Sequence, residues 1–426
     1  EYLEQGVKIY LSIKKSDQSM LFRLSTAYLN LGLTYFEKKD YNNALLYLEK
    51  SLNLKKKNRL SEVGLPYLNI AKTYVKINDK EKAQKYFLES IANFKKEFGD
   101  EYYKLADAYF DYGLFLRSIG KNREAFEIHQ KALAICLKNY GEKHTFVSLA
   151  YKHLGDHFFI QTDYQTALRY YQKSLIAVVA DFNDTTVYSN PSLNEVLFDT
   201  RLLENLKRKA QALELFFVQQ KDISEQKILM VKSLETIELA LSLIGRIRSG
   251  YISRESRIYL AENEKETYIF ATHIAQKLYE VTKKPEYLQR MYDISCISKS
   301  AVLRNEITEN KLIKKGSASD SLSEKQSILL ANIDSYSKLI QDERQKAKPD
   351  TLKIDFWKTS IFDLNRSKEK VNDRIKELFP HFETTIQKTR PTSLNELQRH
   401  LKKDETLIEY FLSNHSYAGK RELFIF

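Results

Sequence analysis

A chain of 426 residues with 43% hydrophobic content, 28 Tyr and 23 Phe can build several packed units, and its 12 Gly and 6 Pro argue against a loop-rich all-β fold. Apolar runs are short, as in LIAVVA at 175–180, which excludes a bilayer-spanning helix, and two cysteines, Cys136 and Cys296, make neither a disulfide framework nor a metal motif. The net charge of +12 comes from 68 basic and 56 acidic residues that interleave, as in LEKSLNLKKKNRLSE (48–62), so a solvated Lys-rich surface is expected rather than a nucleic-acid-binding tail.

No signal peptide is evident at the start of the chain. The first residue is Glu rather than Met, so further residues upstream are expected. The free cysteines fit a reducing compartment, and a cytoplasmic location without membrane association is the expectation.

In chain order, YLEQGVKIYLSIKK (2–15) reads as the second helix of a helical pair, with Gly6 in the column that Ala44 occupies later. From residue 25 the chain repeats. Tyr28, Tyr67, Tyr109 and Tyr151 form one column, and Gly32, Ala71, Gly113 and Gly155 a second. Ala44, Ala83, Ala125 and Ala167 form a third, and Ser51, Ser90, Ala132 and Ser174 a fourth. All four columns share the successive spacings 39, 42 and 42. Each unit holds two amphipathic helices joined by a short polar turn, as in KKDYNNA (38–44) and QTDYQTA (161–167), where the Tyr starts the second helix. Small residues mark where two helix backbones approach closely. One hairpin cannot bury its own apolar face, whereas stacked neighbours can, which predicts a solenoid.

The pattern breaks at DFNDTTVYSN (181–190) and Pro191. Helical periodicity resumes over 202–220, 225–251 and 268–307, enough for two more hairpins. KLIKKGSASDSLS (311–323) reads as a linker, and helices are expected at about 322–347 and 355–379, separated by Pro349 and paired antiparallel. SLNELQRHLKKDETLIEYFLSN (393–414) reads as a short helix, a turn and a strand, and ELFIF (422–426) as a second strand, giving a small C-terminal β-hairpin.

YLNLGLTYFEKKDYNNALLYLEKSL (28–52) resembles the tetratricopeptide (TPR) repeat in its order of aromatic, Leu-Gly, aromatic, Ala and small residue. The 42-residue spacing and the connection NYGEKHTFVSLAYKHLGDHF (139–158) resemble the longer repeats of kinesin light chains. The order of segments over 200–426, with RIRSGYISRESRIYLAENEKETYIFATHIAQKLYEVT (246–282), ISKSAVL (297–303) and the strands TLIEYFLSN and ELFIF, resembles the approach to a CHAT domain, the caspase-like, separase-related domain found behind TPR arrays. Together these imply an all-α fold with an α/β start. The expected parts are a TPR array (1–180), degenerate TPR-like hairpins (181–310), a linker (311–323), an antiparallel helical hairpin (324–380) and the first part of a CHAT domain (381–426), in a chain truncated at both ends.

The CHAT resemblance implies a His-Gly and a later Cys as catalytic dyad, the thiolate attacking a peptide carbonyl. Neither is matched. His415 is followed by Ser, and Cys296 lies far upstream in a helical pattern, so no catalytic residue is carried over. There is no GxxxxGK[ST], HExxH or GxSxG motif either, and neither a cofactor nor a metal is expected. His129 falls in the column of Leu48, Phe87 and Tyr171 and is expected in the core. His144 is expected to shape a helix start. His153 and His157 lie four apart without an evident third ligand.

The TPR resemblance implies a concave face lined by first helices that binds a protein or peptide segment. Its side chains would be Leu29, Leu33 and Phe36, then Leu68, Lys72 and Val75, then Phe110, Leu114 and Arg117, and finally Lys152, Asp156 and Phe159. Asn30 and Asn69 stand where such repeats hold a peptide main chain through an amide, which donates and accepts at once. Leu33 stands where a carboxylate clamp has Asn, so that clamp is incomplete. The resulting expectation is an interaction scaffold, the recognition arm of a CHAT-domain cysteine protease. The alternatives are a stand-alone scaffold with an inactive CHAT remnant and a basic helical nucleic-acid binder.

Overall fold

The computed structural model describes residues 2–12, 17–251, 254–299, 319–344 and 350–378, together with 396, 399–402, 404–406, 408, 410–412 and 423–425. The chain divides into two compact units, Glu1–Asn205 and Leu206–Phe426.

In the first unit α1 (Tyr2–Ser12) is followed by four helical pairs: α2 (Gln18–Glu37) with α3 (Tyr41–Lys57), α4 (Gly64–Lys76) with α5 (Lys80–Phe98), α6 (Tyr103–Ser118) with α7 (Asn122–Tyr140), and α8 (Thr145–Ile160) with α9 (Tyr164–Val178). The turn inside each pair is built the same way. A residue in the left-handed region ends the first helix: Lys39 (φ 62°), Asn78 (63°), Gly120 (84°) and Thr162 (61°). The next amide bonds back to the last turn of that helix, Asp40 to Tyr35 O (2.9 Å), Asp79 to Tyr74 O (3.0 Å), Lys121 to Leu116 O (2.9 Å) and Asp163 to Phe158 O (3.0 Å). Asp40, Asp79 and Asp163 then cap the second helix by accepting from Asn43 N (3.2 Å), Lys82 N (3.1 Å) and Thr166 N (3.1 Å). Lys121, in the third pair, makes no side-chain cap.

The repeat columns are contacts. A Cβ on Gly32 would meet Leu48 Cγ at 2.6 Å, and one on Gly155 would meet the Tyr171 ring at 2.7 Å; Gly113 faces the ring of His129 in the same way. The missing side chain therefore makes room for a large one on the partner helix. The serine column fixes the sliding register of each pair. Ser51, Ser90 and Ser174 donate to the carbonyls of Ser25 (2.7 Å), Gly64 (2.8 Å) and Ser148 (2.6 Å) on the first helix. Around these contacts Leu48, Tyr67, Ile70, Phe87, Phe94, Leu105, Leu116 and Val147 form a continuous core, and burial of each such side chain contributes about 1.5–3 kcal/mol.

One expectation needs correction here. Gly6 has open space where its Cβ would be, and it is Val7 that packs with Leu24 and Leu31. Gly6 therefore does not take the close-packed place of Ala44. The pattern break after α9 is ordered. Ala180 N donates to Glu195 O and Leu197 N to Val178 O, both at 2.9 Å, around a bridge between Val179 and Val196. Lys143 Nζ donates to three carbonyls of this turn, Ile176 (2.8 Å), Val179 (3.0 Å) and Phe182 (2.6 Å). Gln172 Nε2 reaches Asp184 O at 2.6 Å.

Helix α10 (Asp199–Gln219) runs across the division between the units. The second unit continues with α11 (Ile223–Gly250), α12 (Arg254–Asn263), α13 (Lys265–Thr282) and α14 (Pro285–Lys299). Lys283, at φ 55°, ends α13, and Pro285 opens α14 at the position where its missing amide hydrogen is no loss. Ser233 Oγ donates to Ala210 O (2.8 Å), the same kind of pin seen in the first unit. Two further helices, Ser319–Arg344 and Thr351–Leu378, pack on each other, and Leu329, Ile333, Ile354 and Val371 are buried in them. The first begins inside the expected linker, of which 311–318 lie outside the described residues. The second begins four residues before its expected start because Asp350 accepts from Leu352 N (3.0 Å) and Lys353 N (3.2 Å).

Tyr410–Leu412 and Leu423–Ile425 pair antiparallel, with Phe411 opposite Phe424. Three residues a side define no domain. Residues 413–422, His415 among them, most of the helix expected at 393 and onward, and the FPHF segment lie outside the described residues. The architecture established here is the all-helical one.

Candidate functional site

The first helices of the pairs, α2, α4, α6 and α8, carry the expected binding residues. Asn30 is exposed, and Leu33 and Phe36 are half-buried. The ring of Phe36 meets Tyr41 edge-on at 5.8 Å, and Phe159 meets Tyr164 likewise at 5.4 Å, so the first and fourth repeats share this corner. Leu114 is half-buried on α6.

Other expected residues are withdrawn from an open face. Leu29, Leu68 and Phe110 are buried in the core. Asn69 is buried too, and its Nδ2 donates to Leu65 O in its own helix at 3.0 Å. Its side chain is thus turned back along its own helix, where it shares with the backbone the carbonyl one turn before it.

The charged residues are brought together between successive first helices. Lys72 Nζ of α4 lies 3.3 Å from Asp111 Oδ2 of α6. Arg117 Nη1 of α6 lies 3.5 Å from Asp156 Oδ2 of α8, and Lys152 Nζ is 3.1 Å from the same oxygen. The other oxygen of Asp156 accepts from the Tyr171 hydroxyl of α9 at 2.9 Å. Asp107 lies one turn before Asp111 on α6. Burial pushes its carboxyl up to about 6, with the Asp111 charge adding to the rise and Lys72 and Lys104 opposing it. Burial also raises Asp111, against the pull of Lys72. Asp107 has no ion-pair partner within 4 Å among the described residues, which leaves a half-buried acceptor on this face. Neither aspartate was singled out from the sequence. Asp111 was findable, since the column of Asn30 and Asn69 continues as Asp111 and His153.

The histidines are structural. His129 and His153 stack with centroids 4.7 Å apart and 14° between planes. His129 Nε2 is 3.4 Å from Phe110 O, and His153 Nδ1 is buried, 4.0 Å from Asp156 Oδ2, with no hydrogen-bond partner among the described residues. His157 turns away to lie on Phe126 at 4.5 Å, so it does not converge with His153 on a metal. His144 caps α8 by accepting from Phe146 N at 3.2 Å. Among the described residues no group of three His, Cys, Asp or Glu side chains is placed to hold a metal ion, and no helix is long and apolar enough to cross a membrane. Cys136 is buried, which pushes its thiol up to about 12 and leaves it unreactive at neutral pH.

The family model of the tetratricopeptide repeat matches residues 23–96 and 104–175, so the chain carries tetratricopeptide repeats over the four helical pairs. No curated protein matches the chain. Among solved structures it is similar to BtubC (BKLC) from P. vanneervenii, at 14% identity over 59% of this chain and 91% of that one, with a TM-score of 0.48. It is also similar to the apo form of the quorum sensor NprR from B. thuringiensis, at 17% identity over 68% and 80% of the two chains, with a TM-score of 0.38. The apo form of RapI is 15% identical over 67% and 93%, also with a TM-score of 0.38. At these values no functional argument is drawn from the three structures.

Proposed function

We propose that the tetratricopeptide array binds an extended peptide or partner segment along the face of α2, α4, α6 and α8. The observation that carries this reading is the ordered row of charges across successive first helices. Lys72, Asp111 and Arg117 are partly exposed and held in ion pairs, the last with the buried Asp156 that Lys152 also reaches, and Leu33, Phe36, Leu114 and Phe159 are half-buried on the same set of first helices. Side chains already ordered in this way lose little freedom on binding. The half-buried Asp107 adds an acceptor without a partner.

The experiment is a peptide-display selection on the full chain, followed by titration of the recovered peptides. Lys72→Ala, Leu114→Ala and Arg117→Ala are each expected to weaken binding by about tenfold, whereas Lys85→Ala, on the outer side of α5, leaves it unchanged. Unchanged affinity in all three inner-face variants rejects this placement.

The finer reading is that the array serves a CHAT-domain cysteine protease in the cytoplasm as its recognition arm. It is supported by the order of segments over 200–426 and their resemblance to the approach to that domain. The test is the reading frame beyond Phe426. A His-Gly and a later Cys in the strands that follow support the protease, and their absence there sinks it in favour of a stand-alone scaffold.

A further inference from the structure

Four features secure the second helix in three of the four repeats, one as its cap and three as contacts with the first helix, and all four are replaced in the third. The capping aspartates Asp40, Asp79 and Asp163 have Lys121 in their column, with no side-chain cap. The serine pins of Ser51, Ser90 and Ser174 have Ala132, which carries no hydroxyl. The stacked pairs Tyr35–Tyr47, Tyr74–Tyr86 and Phe158–Tyr170, each with centroids 5.4 Å apart, have Leu116 and Ile128. The fillers Leu48, Phe87 and Tyr171 have His129. The turn that precedes α7 is also the only one of the four with glycine, Gly120, in the left-handed position, so its dihedrals are the freest to change. At its far end α7 stays tied, since Asn139 Nδ2 donates to Glu101 O at 3.0 Å.

We propose that the third repeat is a built-in joint: the first half of α7, Asn122–Ala132, releases from α6 and α8 about Gly120 before any other second helix of the array, and acid promotes the release. The acid response follows from what surrounds the two stacked imidazoles. His129 faces Phe110 O, Gly113 and Arg117 of α6 and His153, Asp156 and His157 of α8; His153 also faces Lys152 and, from α10, Arg201. The one carboxylate in the group, Asp156, is already shared by Arg117, Lys152 and the Tyr171 hydroxyl. A proton on His153 would sit among three cations, and one on His129 beside Arg117, next to a carboxylate that is taken. Release of α7 lets the rings reach water and take the proton there. The burial that holds both rings below their ordinary range agrees with this. Arg117, Lys152 and Asp156 also belong to the charged row of the inner face, and the exchange experiment below needs no ligand there.

The test is hydrogen–deuterium exchange of the full chain, read by peptide at pH 7 and pH 5 and corrected for intrinsic rates. Amides of 122–132 are expected to exchange at least tenfold faster than those of the equivalent halves of α3, α5 and α9, with the gap wider at pH 5. Lys121→Asp combined with Ala132→Ser should close most of the gap at pH 7. His129→Leu, which copies the Leu48–Gly32 contact, should reduce the widening at pH 5, leaving only the part due to His153, and leave the neutral-pH gap. Equal protection of the four second helices at pH 7 in the unaltered chain overturns the joint, with no variant needed. A gap that is the same at both pH values, or a widening undiminished in His129→Leu, overturns the acid response.

Discussion

The ring of Tyr171 fills the space left open by Gly155, and its hydroxyl donates at 2.9 Å to the carboxylate of Asp156, the next residue along α8. One side chain thus belongs to the core and to the charged row at once. Tyr171→Phe keeps the ring and removes the donor. A hydrogen bond to a charged, buried acceptor is worth about 1.5–3 kcal/mol, so urea unfolding should show a loss of that order. A loss under about 0.5 kcal/mol would mean that Arg117 and Lys152 hold Asp156 without help.

The glycine columns separate by context. Gly155→Ala drives a methyl into the Tyr171 ring, and overpacking of this kind costs about 1–3 kcal/mol. Gly6→Ala has open space on a helix and should gain up to about 1 kcal/mol. Thermal midpoints of the two variants should move in opposite directions, and a shared direction would contradict the assigned contacts.

Stability should fall on mild acidification. His129 is held down at about 4 by burial, against an ordinary value of 6.5. Above pH 6.5 both folded and unfolded rings are neutral and no penalty exists. Between 6.5 and 4 the unfolded ring binds a proton that the folded one does not, so stability drops as pH falls, by about 2 kcal/mol at pH 5. His129→Leu should flatten this part of the profile in denaturant titrations at pH 7 and pH 5. An equal slope in variant and parent would assign the loss to other groups.

Lys143 orders the chain after the array by donating to three carbonyls. Lys143→Met keeps the stem and removes the donors. Limited proteolysis should then cut within 180–196 at a rate several-fold above that of the parent, while sites in α2–α7 stay protected. Unchanged cleavage would show that the Val179–Val196 bridge and Gln172 suffice.

The repeat was legible because each column reports one close contact: Gly32 against Leu48, Gly155 against Tyr171, Ser51 against Ser25. Periodicity exposes such contacts four times over. What it could not expose depends on neighbours distant in the chain. Asn69 reads as a free amide until Leu65 O is seen to take it. Residues 181–190 read as a simple break until Lys143 and Gln172 are seen to satisfy that backbone. Gly6 fits a small-residue column by type, yet the packed position is Val7. On the candidate site, Lys72, Arg117, Lys152 and Asp156 were legible by column, but the pairing of Lys72 with Asp111 and of Arg117 with Asp156 was not, because each runs between helices 39 residues apart in the chain.

Each serine pin joins residues separated by the same 26 positions, whereas the stretch from one serine-column residue to the next acceptor is 13 residues after Ser51 and 16 after Ser90 and Ala132. All the variation in repeat length therefore falls between one pinned segment and the next. A gene for such an array can gain or lose codons between pinned segments and keep every pin, but a single codon added within one sets a hydroxyl one step out of line with its carbonyl. The hairpin, not the 39- or 42-residue period, is the unit that can be copied, spliced or exchanged intact.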